Sequence, residues 1–446
     1  MSHSLFAGFG QRDITPETMT PLAGFDLRKG KAAGVHDPLY VRVVTLLSQP
    51  DSPAESGLVL VEVDLLGTAM YLCEKIKERI LALMEEKRPQ ARIEIQIGAI
   101  HTHAAPQSVF KAFDCFDETY LDRIASKAAE AAGDSLTDLH PVKGLMLESR
   151  ASSVGSFRDV PREQSLFDMP LKTLWLRDPA MKRPDILLVL FACHPTVLNE
   201  SNYLISRDLC WGFEEALAER LQEKGLLRAN VLLMNGACAD ISTRYTRKKA
   251  SFEEALRLGG RMAQAVLIPE ETDNWATEGQ LLSGEIALEI PPARFFTPEE
   301  RQEIIAYLNE KIESCRDEAQ KREYLSCKSV LERAHYGKNR TEGIQVNLSL
   351  AQLVLMVPAR YGRTAPERTL LLGIPFEYAQ KDAARLAGRI RMKCGSSVWI
   401  RCYAGGYEGY LPSGEPLSRD SSYEDMASSY APEAKELLAK AVLDVL

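Results

Sequence analysis

Residues 93–106 read IEIQIGAIHTHAAP, an apolar stretch with the composition of a β-strand that runs directly into two histidines. The chain contains only seven histidines, yet His101 and His103 stand two residues apart where the predicted strand ends. In extended backbone, the side chains of residues i and i+2 point to the same side. The spacing therefore predicts that both imidazoles face one pocket.

Comparable apolar segments recur along the chain and alternate with amphipathic helical patterns, which is typical of an α/β layer fold. The predicted strands cover residues 57–63, 93–100, 186–192, 230–234, 370–374 and 398–403. The predicted helices begin near Tyr71, Tyr120, Phe213, Phe252, Phe376 and Pro432. We therefore predict an α/β fold of mixed β-sheets flanked by helices.

Residues 297–340 differ in composition from the rest of the chain, because they are highly charged and helical in pattern and contain no predicted strand. We interpret them as a helical insertion that extends from the main body. The chain shows no internal repeat and no linker rich in proline, glycine or serine. The pattern therefore favours a single large domain over residues 1–446.

The composition excludes several classes of protein. The formal net charge of -8 argues against a general nucleic-acid or anionic-membrane binder, which would need a basic surface. The first residues lack a secretory signal, and the longest apolar runs, about eight residues, are too short for integral membrane association. Nine cysteines without a CxxC motif indicate reduced thiols and a cytoplasmic location. The composition leaves the oligomeric state open.

Polar side chains follow the predicted strands at the point where each strand ends. In α/β sheets, binding sites form beyond the carboxyl ends of strands, where loops converge on a rigid support. We therefore expect several of these residues to share one pocket. In chain order they are Asp64, His101, His103, His194, Asp208, Asp240, Ser242, Glu377, Tyr407 and Tyr410.

Imidazole is the commonest zinc ligand, and catalytic zinc usually takes three protein ligands and a water. His101 and His103, with His194 and Glu377, would supply such a set. Each residue also has a simpler interpretation, because a histidine can hydrogen-bond loop backbone and Glu377 can stabilise a helix N-terminus. The joint placement at strand ends raises the weight of the metal interpretation.

Two other residues have weaker patterns. His36, in GVHDPLY, precedes an extended segment before a proline and is more typical of a loop hydrogen-bonding residue than of a ligand. Ser242, in NGACADIS, offers a hydroxyl nucleophile but lacks the GxSxG elbow of a serine hydrolase. We assign His36, together with Phe376, to the predicted substrate pocket.

The chain resembles the catalytic domain of the neutral/alkaline (non-lysosomal) ceramidase family, including its shorter bacterial relatives. The resemblance covers most of the chain, and it depends on the order and number of short segments. They are GFGQRDITP, PLAGF, GVHDPLYVRVVTL, VLVEVDLLG, GAIHTHAAP, FRDV, ACHPTVLNESNYLISRDLCWG, LLMNGACADIS, GIPFE and GGYEGYLPSGE.

The resemblance implies a zinc amidohydrolase that cleaves an N-acyl bond and holds one zinc ion through four side chains, His101, His194, Glu377 and Tyr407. It implies that His103 is the acid/base residue and that Arg158 helps to hold the substrate or its oxyanion. Tyr410 would assist Arg158. Ser242 matches a serine of the family, and we expect it to have a supporting role when a metal is present.

The implied mechanism is metal-assisted hydrolysis. Zinc would polarise the scissile carbonyl and lower the pKa of a bound water from 15.7 toward ~7. His103 would transfer the proton to the leaving atom. Metal-bound imidazoles are usually oriented by a further hydrogen-bond acceptor, and Asp64, Asp208 or Asp240 is predicted to provide it.

The sequence also departs from the family pattern beside the ligands. HTHSGP becomes HTHAAP, PGE becomes PFE with Phe376, GDVS becomes ADIS, and Gly405-Gly406-Tyr407 lacks the asparagine of NxY. The four ligand positions are retained while their neighbours differ, and we expect no C-terminal immunoglobulin-like domain. We therefore predict retained hydrolytic chemistry on an acylated or small-molecule substrate other than ceramide.

Three alternatives remain at this stage. The first is a hydrolase of an ester, a lactone or a sugar derivative that acts on a small polar metabolite. The second is a non-catalytic metabolite-binding protein, and the third is a metal-independent serine hydrolase that uses Ser242. A His/Glu/Tyr ligand set also accepts manganese or iron.

Overall fold

The computed structural model describes residues 4–25, 28–52, 55–109, 117–158, 160, 162–333, 343–358 and 364–446. Within these residues, the strands are β1 (Leu5–Asp13), β2 (Gly34–Val35), β3 (Tyr40–Ser48), β4 (Ser56–Val63), β5 (Arg92–Ala99), β6 (His140–Pro141), β7 (Lys143–Phe157), β8 (Leu166–Arg177), β9 (Ile186–Phe191), β10 (Leu204–Ile205), β11 (Asn230–Asn235), β12 (Ile241–Ser242), β13 (Gly279–Ile290), β14 (Ile344–Pro358), β15 (Thr364–Gly373) and β16 (Ser397–Arg401).

The described residues contain helices at all of the predicted positions, including the C-terminal segment. They are α1 (Met70–Lys87), α2 (Glu118–Thr137), α3 (Leu209–Glu223), α4 (Phe252–Ala265), α5 (Pro298–Ser314), α6 (Glu318–Glu332), α7 (Gln380–Cys394), α8 (Tyr423–Ala427) and α9 (Ala434–Val445). A short 3-10 turn spans Arg162–Gln164. In the ranges that the structure covers, no helix combines the length and the apolar character needed to cross a bilayer.

Three large sheets carry the fold. Their strand orders are β5-β4-β3-β1-β6, β11-β9-β8-β7-β12 and β13-β14-β15-β16, and β10 and β2 form a small additional sheet. Each large sheet contains antiparallel pairs and one parallel pair. The parallel pair is β4–β5 in the first sheet, β9–β11 in the second and β15–β16 in the third. The prediction of an α/β fold with mixed sheets flanked by helices is confirmed.

The strands of the parallel pairs are apolar on both faces because each face packs against a different layer. In β9, Leu187 and Val189 belong to the core shared with α3, whereas Leu188 and Leu190 belong to the core between the sheets. Burying one such side chain stabilises the fold by roughly 1.5–3 kcal/mol. This two-sided burial explains why the sequence of β9 is a continuous apolar run.

The predicted strands are confirmed to within a few residues at their ends, except that β15 begins six residues earlier than predicted. Six long strands with antiparallel partners were not predicted: β1, β3, β7, β8, β13 and β14. The helix predicted from Phe376 begins at Gln380 instead. Glu377 therefore precedes the helix, and the interpretation of Glu377 as a helix N-terminal acid is wrong.

The predicted helical insertion contains α5 and α6, and residues 334–340 of it lie outside the described residues. Helix α5 begins with a capping box, in which Thr297 and Glu300 satisfy each other's backbone amides. The two helices form a small core of their own with Met426 of α8. The insertion is therefore fastened to the C-terminal segment.

Candidate metal centre

The carboxyl ends of the three parallel pairs meet at one place. His101 follows β5, His194 follows β9 and Glu377 follows β15. At the end of β11, the Asn235 side-chain amide donates to the carbonyls of Ile100 (3.1 Å) and Cys193 (3.2 Å), which ties the first two sheets together. The predicted convergence of strand ends is therefore present in the structure.

The ligand atoms of these residues lie at distances that suit a shared cation. His194 Nε2 is 3.1 Å and His101 Nε2 is 3.6 Å from Glu377 Oε2, and His103 Nε2 is 3.3 Å from His101 Nε2. Donor atoms bound to one tetrahedral zinc ion are about 3.3 Å apart, given bonds of about 2.0–2.1 Å. The group formed by His101, His103 and His194 could therefore hold a metal ion.

Backbone carbonyls orient two of the three imidazoles. His101 Nδ1 lies 2.7 Å from the carbonyl oxygen of Leu66, and His194 Nδ1 lies 2.8 Å from that of Cys238 and 3.0 Å from that of Ile241. Because a carbonyl oxygen only accepts, each Nδ1 carries the proton and each Nε2 presents a lone pair to the centre. This tautomer is the form in which imidazole binds a metal.

Burial keeps the imidazoles neutral. Burial lowers the pKa of His101 to about 3, even though the nearby Glu377 opposes the shift. The pKa values of His194 and His103 are also lowered, again chiefly by burial. At neutral pH, these histidines are therefore uncharged bases with available lone pairs.

Glu377 supplies the negative charge of the centre. Burial alone would raise its pKa, but His101 and His194, which act here as cations when protonated, and the hydrogen bond from the Tyr407 hydroxyl lower the pKa of Glu377 to about 2. The Tyr407 hydroxyl donates to Glu377 Oε1 at 2.5 Å, and burial holds the pKa of Tyr407 well above its usual value. An ionised carboxylate beside neutral imidazoles is a donor set that fits a divalent ion of the zinc type.

His101 and His103 meet by a different route from the one predicted. Strand β5 ends at Ala99, and His101 has a φ of +69°, so that its backbone is left-handed rather than extended. Tyr403 also has a positive φ, +56°, and its ring stacks on the His101 ring with centroids 4.1 Å apart. Such backbone costs of order 1–3 kcal/mol and persists where the surroundings fix it, as they do at functional sites.

The His103 ring packs directly against the backbone of a glycine, Gly24. Gly24 has a φ of +95°, and a Cβ atom built on it would lie 2.4 Å from His103 Cγ. The buried Arg28 donates to the carbonyl oxygens of His103 (2.5 Å) and Ala23 (2.9 Å), and Phe25 packs 4.9 Å from the imidazole. Sequence reasoning did not identify Gly24, which lies in the PLAGF segment, or Arg28, which follows that segment by three residues.

Arg158 and Tyr410 lie together beside the carboxylate. Arg158 Nη2 donates to the Tyr410 hydroxyl at 3.1 Å, and Tyr410 forms a β-bridge with Glu377. Arg158 Nε donates to Glu424 at 2.7 Å. Burial alone would lower the pKa of Arg158, but Tyr410, Glu424 and other acidic groups raise it above its usual value. A permanent cation therefore borders the centre, and Glu424 was not predicted.

Ser242 lies next to the centre without the partner that a nucleophile needs. It forms a β-bridge with His194, but its Oγ accepts from the backbone amide of Arg244 at 3.3 Å. A catalytic serine requires a base within hydrogen-bond reach of its hydroxyl. Among the described residues, the geometry of Ser242 therefore fits a supporting role.

The three predicted orienting aspartates do not contact the Nδ1 atoms of His101 and His194, which face backbone carbonyls. Asp64 pairs with Arg42 at 3.1 Å. Asp208 accepts from the amides of Val197 and Leu198, and so holds the loop that follows His194. Asp240 accepts from Gln380 N and, through its carbonyl, from Arg158 N. The prediction for direct orientation is corrected, because backbone groups already occupy the Nδ1 positions.

The predicted pocket residues are corrected as well. Phe376 is 0% exposed and packs edge-on against Tyr430 with ring centroids 5.3 Å apart, so it belongs to the core. His36 stacks on Phe252 at 3.5 Å and lines a separate cavity of about 840 Å³ with Arg207 and Trp211. Phe376 lies in the core because its ring is apolar, and His36 lies away from the metal centre because its ring packs against aromatic neighbours.

The sheets and the histidine group define an α/β protein with a candidate metal centre where three parallel strand pairs end. Its fold is neutral ceramidase-like. The crystal structure of neutral ceramidase from Pseudomonas aeruginosa aligns with 100% of this chain and 74% of its own chain, with a TM-score of 0.72 and 17% sequence identity. A ceramidase complexed with C2 aligns with 100% of this chain and 76% of its own, with a TM-score of 0.71 and 16% identity. No family model matches the chain.

Proposed function

We propose that the protein is a zinc-dependent hydrolase that cleaves an amide (N-acyl) bond, with residues 1–446 as its catalytic domain. One observation carries the proposal. Glu377 Oε2 lies 3.1 Å from His194 Nε2 and 3.6 Å from His101 Nε2, and the Tyr407 hydroxyl donates to the other carboxylate oxygen. The fold similarity to neutral ceramidases supports the same class of reaction.

His101, His194, Glu377 and Tyr407 would hold the ion, which supplies Lewis acidity and makes water a stronger nucleophile when bound. The neutral His103 can accept a proton at Nε2, the atom that faces the centre. Arg158 Nη2 and the Tyr410 hydroxyl can donate to an oxyanion, an effect of roughly 3–4 kcal/mol per well-placed donor.

We propose a polar acylated substrate other than ceramide. The charged and hydroxyl-bearing side chains of Arg158, Tyr410, Tyr423 and Glu424 lie together next to the ligands, and such groups suit a small polar molecule better than paired alkyl chains. Phe376, Ala104 and Ala105 differ from the family pattern, but all three are buried. These departures from the family pattern therefore give no support to a reshaped pocket.

The ligand assignment is tested by zinc content and activity in parallel. His101→Ala and Glu377→Ala should lose both zinc and turnover, because each removes a ligand. His103→Ala should lose turnover but keep about one equivalent of zinc. His36→Ala is the control, since His36 lines the separate cavity. A zinc-free wild-type enzyme with full activity would refute the proposal.

The bond and the substrate are tested with a panel of long-chain ceramides, short N-acyl amino acids and lactones. We expect turnover of short N-acyl compounds and little turnover of ceramide. A preference for long acyl chains contradicts the polar substrate, and activity confined to lactones contradicts the amide bond.

We also propose a cytoplasmic location. All cysteines among the described residues are free thiols, which suits a reducing compartment. Fractionation of cells that express the full chain would test this, and recovery of the protein outside the cytoplasm would contradict it.

A further inference from the structure

The neighbours of Arg158 come from parts of the chain far from the sheets. Glu424, at the start of α8, accepts from Arg158 Nε at 2.7 Å, and both side chains are about nine-tenths buried. Nη2 of the same guanidinium donates to the Tyr410 hydroxyl. The guanidinium carbon is also 5.8 Å from the ring centroids of Tyr410 and Tyr423. Glu424 therefore holds the Nε of Arg158, while the neighbouring Nη2 contacts Tyr410.

The helical insertion reaches the same place through Glu323 of α6. Glu323 Oε2 accepts from Arg244 at 2.7 Å, and the same Arg244 nitrogen lies 3.3 Å from the backbone carbonyl oxygen of Arg158. Glu323 Oε1 accepts from Tyr423 N at 3.4 Å. One carboxylate of the insertion thus contacts the segment that carries Glu424 directly, and reaches the backbone of Arg158 through Arg244.

We propose that Glu424 is a positioning residue for Arg158 and that helix α6, through Glu323, holds this pair in place. The inference rests on the proposed function, in which Arg158 donates to an oxyanion. Without Glu424, the guanidinium loses the contact at Nε and can rotate about its side-chain bonds. A displacement of about 1 Å at a reacting group can cost about 100-fold in rate. The insertion would then be part of the active-site wall.

The kinetic test compares Glu424→Gln and Glu323→Gln with a matched control, Glu415→Gln, which changes an exposed glutamate of the same C-terminal region. Glu424→Gln should lower kcat by about 10- to 100-fold, with a smaller change in KM. Glu323→Gln should lower kcat by about 2- to 30-fold. Glu415→Gln should match the wild type.

A double variant separates positioning from general damage to the fold. If Glu424 acts through Arg158, adding Glu424→Gln to Arg158→Ala should change kcat by less than about 2-fold, because nothing remains to be positioned. An equal loss of kcat in both backgrounds would overturn the inference, and so would wild-type activity of Glu424→Gln.

A crystal structure of Glu424→Ala provides a readout that does not depend on activity. We expect Arg158 to leave the Tyr410 hydroxyl, from which it is 3.1 Å in the wild type. If the wild type hydrolyses none of the panel, the proposed function fails, and the position of Arg158 in this variant still decides the inference. An unmoved Arg158 would overturn it.

Discussion

Replacing Gly24 with alanine would place a methyl group against the His103 ring. The added Cβ would lie 2.4 Å from both Cγ and Nδ1 of His103, and ordinary van der Waals contact begins at about 3.4 Å. The imidazole must therefore move by about 1 Å. Since a displacement of that size can cost about 100-fold in rate, we expect kcat/KM to fall by about two orders of magnitude.

Gly30→Ala is the control for this substitution. Gly30 has a φ of +91°, close to the +95° of Gly24, but a Cβ built on it meets no atom within 4 Å. Both alanines should incur the same backbone penalty of roughly 1–2 kcal/mol, and only Gly24→Ala should displace a ring. The two free energies of unfolding, measured in urea, report the shared penalty.

The assay measures kcat/KM and zinc content for both variants. We expect Gly24→Ala to keep its zinc, because His103 is assigned to proton transfer, and Gly30→Ala to match the wild type in activity. Full activity of Gly24→Ala would refute the inference that Gly24 leaves the space that the His103 ring needs. Loss of zinc would show that His103 is a ligand instead.

Three further predictions follow from the same geometry. Ser242→Ala should keep activity within about 10-fold of the wild type, because within the described residues its hydroxyl hydrogen-bonds to the backbone amide of Arg244 and to no side chain; inactivation would favour a serine nucleophile. Tyr403→Phe removes the contact of 3.2 Å with Cys238 Sγ and should lower the free energy of unfolding by about 1 kcal/mol with zinc content unchanged; a loss of zinc contradicts this. Burial raises the pKa of Asp208 from 3.8 to about 7, although backbone hydrogen bonds oppose the shift. Between these two pH values, the folded chain keeps a proton on Asp208 that the unfolded chain releases. Stability from this group is present below pH 3.8 and is lost as the pH rises toward 7. Asp208→Asn should flatten that loss in urea unfolding, whereas a wild-type pH dependence in the variant contradicts it.

The strands that the sequence predicted are those with a short continuous apolar run, although β3, which is buried on both faces, was missed. A continuous apolar run such as ILLVLF of β9 has few other interpretations in an α/β chain. Because polar residues directly follow such runs, the meeting of His101, His194 and Glu377 could also be predicted. The antiparallel strand β13 and the first half of β14 were missed because they alternate apolar and polar residues, a pattern typical of half-buried strands, and form no continuous apolar run like that of β9.

Features that depend on backbone conformation or on distant contacts could not be predicted. Nothing in the sequence indicates a φ of +69° at His101 or the approach of Gly24 to His103. The pairing of Arg158 with Glu424 joins residues 266 positions apart. Phe376 was misplaced because its proximity to Glu377 in sequence does not determine the direction of its side chain, which points into the core.

The origin of the ligands in three separate sheets has a consequence for biosynthesis. His194 and Glu377 are 183 residues apart, and Tyr407 follows the last strand of the third sheet. A growing chain can therefore complete the proposed centre only after most of it has left the ribosome, so the ion would join a nearly finished protein. An ion that binds only the finished form protects it by mass action, by about 2.7 kcal/mol at a concentration 100 times its Kd. Metal supply would then govern how long each newly made molecule survives.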